Sequence, residues 1–76
     1  MNAKRRRRLG DVMDLLRGAA DTMEEVIDEE QDALDSTPEN LQESDAYCER
    51  ESKLDDMRYA LDDIRTSMDS VSELIT

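Results

Sequence analysis

The apolar pattern predicts an all-α chain: an antiparallel two-helix hairpin, coiled-coil-like, whose copies dimerise into a four-helix bundle. Three observations carry that expectation. Leu54, Met57, Leu61, Ile64, Met68, Val71 and Ile75 recur at alternating steps of three and four, the heptad seam of a helix that packs on other helices. The same period runs through the first half, where Met13, Ala20, Ile27 and Leu34 share one heptad column. Between the two halves stands Pro38, which breaks a helix, and a short connection leaves its flanking helices adjacent and antiparallel.

The whole of 1–76 reads as a single domain. Helix 1 is expected over about 4–35, with Leu9, Leu16, Met23 and Glu30 in a second column and Val12, Ala19, Val26 and Ala33 in a third. Three columns make a face wider than one partner helix covers, which points to a bundle. On the opposite side Asp14, Asp21, Asp28 and Asp35 fill a column that water should wet. Gly18 falls at an exposed position and costs about 1 kcal/mol relative to alanine.

The turn is expected over about 36–40, because Pro38 disfavours a helical conformation at Thr37 while suiting the first turn of a new helix. Thr37 is then the expected N-cap, with Ser36 and Glu39 as an alternative capping box. Helix 2 is expected over about 38–75, with an uneven start near 41–45: Leu41 is out of register, and Ser44 or Asp45 offers a second initiation. Folding about Pro38 sets residues whose numbers sum to roughly 77 side by side. Met23 then meets Leu54, Leu16 meets Leu61 and Leu9 meets Met68.

A chain of 76 residues buries too little apolar surface to be comfortably stable alone. One cysteine excludes an internal disulfide and the lack of histidine excludes a histidine-based metal site, so self-association is the expected reinforcement. Val12, Leu16, Ala19, Met23, Val26, Ile27, Leu54, Leu61, Ile64 and Met68 are the residues expected to mediate it, a homodimer being favoured.

The net charge of −11 is unevenly spread, since Lys4, Arg5, Arg6, Arg7 and Arg8 hold half the positive charge. In the register above this basic head would lie beside Asp69, Glu73 and the negative end of helix 2's dipole. With no aromatic residue interleaved and strong acidity elsewhere, direct nucleic-acid binding is not expected, nor is a membrane contact. Catalysis finds no foothold: there is no histidine, Cys48 sits beside Glu49 without a base, and the carboxylates fall on outward helix faces. No catalytic residue, cofactor or metal is expected. The lone cysteine and the lack of an apolar leader or spanning run suggest a cytoplasmic setting.

Glu30 and Arg50 interrupt the apolar columns near the turn, where an ion pair between them would fix the register. The expected function is a non-enzymatic protein–protein interaction module whose protein partner the sequence does not identify. Its partner-binding candidates are Asp14, Asp21, Asp28, Asp35, Asp55, Asp62 and Tyr59, an aromatic on an acidic face. The alternative is a DNA mimic, in which these carboxylates imitate a phosphate backbone toward a host DNA-binding protein or defence nuclease.

The basic opening Lys4 to Leu9, the acidic first helix, the turn Pro38-Glu39-Asn40-Leu41-Gln42 followed by Ser44, and the Asp-Asp pairs of helix 2 resemble short acidic proteins encoded by prophages and mobile elements of Gram-positive bacteria. The resemblance implies a phage or mobile-element setting and a regulator that binds host machinery. It assigns no role to any residue.

Overall fold

The computed structural model describes residues 1–76 and is all-helical. Helix α1 spans Ala3–Asp35, a 3-10 turn spans Glu39–Leu41, and helix α2 spans Asp45–Ile75. Asn2 caps α1 by accepting a hydrogen bond from the Arg5 amide at 2.9 Å. That cap opens a helix whose first turns are otherwise cationic, against the sense of its dipole.

The connection differs from the expected one. Thr37 is not an N-cap: its hydroxyl donates to the Ala33 carbonyl at 3.1 Å, closing the end of α1 instead. Pro38 starts only the 3-10 turn, and the Gln42 side chain ties the loop by donating to the Thr37 carbonyl at 3.2 Å. Ser44 is the N-cap of α2, accepting from the Tyr47 amide at 3.2 Å while its hydroxyl donates to the Leu41 carbonyl at 2.7 Å.

Five residues form the buried core: Ala20, Ile27 and Leu34 of α1 with Leu54 and Leu61 of α2. Met23, Tyr47, Met57, Ile64 and Met68 pack around them, half-buried. The α1 column of Ala20, Ile27 and Leu34 joins the α2 column of Leu54 and Leu61 in one buried cluster, and Ile27 and Leu61 floor one cleft between the helices, which aligns them across the seam. Cross-helix contacts bracket the same alignment, from Glu30 with Arg50 to Gln31 with Arg58 and Glu24 with Arg65. This corrects the expected register by one heptad: Met23 stands beside Leu61, Leu16 beside Met68 and Leu9 beside Ile75.

The slip moves one helix about 10 Å along the other, at 1.5 Å per residue. It leaves Met1 to Arg8 beyond the end of α2, and the rod is 60 Å long although a helix of 33 residues covers only about 50 Å. The basic head therefore does not lie beside Asp69 and Glu73. Each of the five ion pairs present uses a cation outside it.

Candidate functional site

The two long sides of the hairpin differ in chemistry. On one, Arg65 reaches Glu24, and Arg58 Nη2 donates to Gln31 Oε1 at 2.6 Å while Nη1 stays 3.2 Å from Asp55. These contacts bridge the helices over a cleft floored by Ile27 and Leu61 and rimmed by Asp28 and Asp62. Glu24 and Gln31 on α1 face Arg58 and Arg65 on α2 because residues flanking an antiparallel seam meet their own kind of position across it.

On the other side the single cross-helix bridge, Arg50 to Glu30, lies at the loop end, and none spans the middle. A shallow apolar groove runs between the helices, lined by Ala19, Met23 and Val26 of α1 and Met57 and Ile64 of α2, with Gly18 and Thr22 at its edge. Val12 and Val26 are each 41% exposed and Leu15 is 75% exposed. Ala19 and Ala33 are exposed on the same face. The third apolar column of α1 thus remains in water while the hairpin's own core is complete. Exposed apolar residues in one contiguous strip mark an interaction surface rather than the scattered exposure common to all proteins.

The ten residues expected to mediate self-association divide by depth. Ile27, Leu54 and Leu61 are buried within the hairpin itself, whereas Leu16, Met23, Ile64 and Met68 are half-buried and Val12, Ala19 and Val26 are exposed. Leu15 belongs to the same face and lay outside the expected set. Its signal was its place next to the Val12–Ala19–Val26 column on the helical wheel.

The acidic candidates Asp14, Asp21, Asp28, Asp35, Asp55 and Asp62 are all exposed. Asp14 lies 3.4 Å from Arg17, and Asp35 accepts from Gln31 Nε2 at 2.9 Å. Tyr59 is 70% exposed. At the loop end of the apolar side, Arg50 Nε donates to Glu30 Oε1 at 2.8 Å, so the two polar residues of the apolar columns meet. This hydrogen bond, and then the charge of Glu30, hold the Arg50 guanidinium above its ordinary pKa. Cys48 is an exposed free thiol near the hairpin tip.

Lys4 and Arg5 to Arg8 are exposed and make no ion pair. The cleft at this end is lined by Met1 and residues of α1, with none from α2: Met1, Leu9 and Val12 stand beside Arg5, Arg8 and Asp11. No three histidine, cysteine, aspartate or glutamate side chains converge on a point where a metal ion could be held. Neither helix is long and apolar enough to cross a membrane.

The fold and its faces define an all-α helical hairpin with one polar-bridged side and one open apolar side. No protein-family model, curated protein or solved structure matches the chain.

Proposed function

We propose that this chain is a non-enzymatic protein–protein interaction module that works as a homodimer, two hairpins joining by their apolar sides into a four-helix bundle. The observation that carries the reading is the groove of Ala19, Met23, Val26, Met57 and Ile64 with Val12 and Leu15 alongside, an apolar surface left over after the hairpin core closes. Covering it removes aliphatic area from water at about 25 cal/mol per Å², which a chain of five buried residues needs. The acidic sides then face outward from the bundle and are free to engage a further partner. The likeness to prophage and mobile-element proteins supports a regulator in such a setting.

Light scattering on the purified chain at micromolar concentration tests the reading. Twice the 8.7 kDa chain mass is expected, and a folded monomer would overturn it. Val26→Glu, which places a charge on the exposed strip and leaves the core untouched, is expected to shift the population to monomer.

A second reading is favoured by one observation: Asp21, Asp28, Asp62 and Asp63 are exposed with no cation paired to them, on a rod 60 Å long and 14 Å across its Cα positions. In this reading the acidic side mimics the DNA backbone toward a DNA-binding protein or defence nuclease. A complex of that kind weakens steeply with salt and is displaced by duplex DNA, whereas an apolar contact is indifferent to both.

A further inference from the structure

The rod is electrically polarised along its length. Residues 24–56, the loop end, carry fourteen acidic and two basic side chains. The opposite end carries Lys4 and Arg5 to Arg8, opposed only by Asp11, Asp14, Asp69 and Glu73. These five cations stand at the positive end of the α1 dipole, project past the last turn of α2 and find no anion in their own chain. An arrangement unfavourable within one chain calls for anions from outside it.

The apolar strip shows where those anions come from. Val12, Ala19 and Val26 are evenly spaced on one face, with Ala19 midway, and Arg5 and Ala33 continue the column at its two ends. A two-fold axis crossing α1 at Ala19 brings α1 against a second α1 running the other way. Val12 then meets the partner's Val26, and the small Ala19 beside Gly18 lets the two backbones approach closely at the crossing. The same symmetry sets Arg5 and Arg8 alongside the stretch Glu29 to Ala33 of the second copy, and Lys4 alongside Leu34 and Asp35. The reverse choice, with both loops at one end, stacks the two acidic ends on each other.

Resting on the self-association proposed above, we infer that the occupant of the apolar side is a second copy in antiparallel orientation, loops at opposite ends, with each basic head clamped on the acidic loop end of the other chain. The head is an orientation device. It selects the antiparallel bundle over the parallel one by charge and makes the dimer sensitive to ionic strength in a definite sense. Two chains of net charge −11 joined only by apolar contact would associate more tightly as salt screens their repulsion. Chains joined also by head-to-loop ion pairs associate less tightly.

Cysteine cross-linking in the full-length Cys48→Ser chain tests the orientation. With a short bis-maleimide, Ala19→Cys is expected to join to itself. Val12→Cys and Val26→Cys are expected to stay single when alone and to join each other when mixed. If each of the three joins to itself alone, the dimer is parallel and the inference is overturned. If none joins in a sample that light scattering shows to be dimeric, the dimer uses another face and the inference is again overturned, with self-association intact. A monomer at every concentration overturns both.

The charge device has its own readout. Replacing Arg5, Arg6, Arg7 and Arg8 with glutamine is expected to weaken dimerisation about tenfold or more at low salt, several exposed ion pairs acting at each of two ends. It should also reverse the sign of the salt dependence. Equal affinity of parent and variant would overturn it, as would head-dependent retention of duplex DNA with dimer affinity unchanged.

Discussion

Leu34→Ala tests where the stability of the hairpin resides and whether the helices sit in the register described. Leu34 is 1% exposed, the most deeply buried side chain of the chain, in the last turn of α1 and in one buried cluster with Leu54, against which Tyr47 packs. Truncating a buried leucine to alanine costs about 2–5 kcal/mol, by lost transfer free energy and by the cavity left behind. A domain of this size has a total of only about 4–11 kcal/mol, so the change removes a large fraction of it. At about 4–8 °C per kcal/mol for small domains, the melting temperature falls by about 8–40 °C. The control is Leu9→Ala. In a flush register Leu9 would pack on Met68 in mid-helix and its loss would be comparable, whereas beside Ile75 at the end of α2 it is half-buried and its truncation costs about 1 kcal/mol or less. Thermal and urea unfolding followed by far-UV circular dichroism, at one fixed chain concentration so that the proposed assembly weighs equally on both, compares the two. Equal losses for Leu9→Ala and Leu34→Ala would refute the register and the overhang of the basic head.

Three further outcomes follow from local geometry. Ser44→Ala removes the side-chain N-cap of α2 and its tie to Leu41, and is expected to cost about 1 kcal/mol in urea unfolding. A Cβ at Gly18 meets nothing of its own chain within 4 Å, so Gly18→Ala in the Val26→Glu background, where the crossing is removed, is expected to stabilise the hairpin by about 0.5–1 kcal/mol through helix propensity, seen as a higher urea midpoint. For Glu30 and Arg50, a double-mutant cycle is expected to show favourable coupling that diminishes with salt, and strict additivity would remove the pair as a register device. Because the Arg50 pKa is raised on folding, its share of that stability is fully present below the ordinary guanidinium value and is lost only as pH rises through the still higher folded value. Unfolding between neutral and moderately alkaline pH should therefore show no loss traceable to Arg50.

The helices and the broken start of the second were legible because each rests on local chemistry: heptad apolar columns, a proline, and Ser44 three residues ahead of the amide it caps. The register was not, and the reason is built into the pattern. A seam that repeats every seven residues matches itself again after sliding one heptad, so Leu16 finds an apolar partner in Leu61 or in Met68 equally well. What selects between them is the loop. Thr37 bonding back to Ala33 and a 3-10 turn over Glu39–Leu41 lengthen the connection beyond a tight turn at Pro38 and carry α2 forward along α1. The same slip decides the candidate site, because it strips the basic head of the neighbours that a flush hairpin would have given it. Leu15 is not legible from the heptad columns for a simpler reason, since it adds a single apolar residue to a column otherwise made of Arg8, Thr22 and Glu29.

The asymmetry between the two long sides also selects which one a second helix pair can cover. On the bridged side, a partner would have to strip water from Arg58, Arg65, Glu24 and the free carboxylates of Asp28 and Asp62, and removing water from charges costs more than their existing pairing returns. On the apolar side, the groove presents methyl and thioether groups with the small residues Gly18 and Ala19 at its middle, so a second helix can approach without desolvating any charge. In the proposed dimer, charge would enter only at the two ends, where exposed Arg side chains would keep contact with water as they pair. Apolar contact at the centre would supply the attraction, and ionic contact at the ends the direction. Antiparallel pairing satisfies both requirements, because the basic head and the acidic loop of one chain lie at opposite ends of a single straight helix.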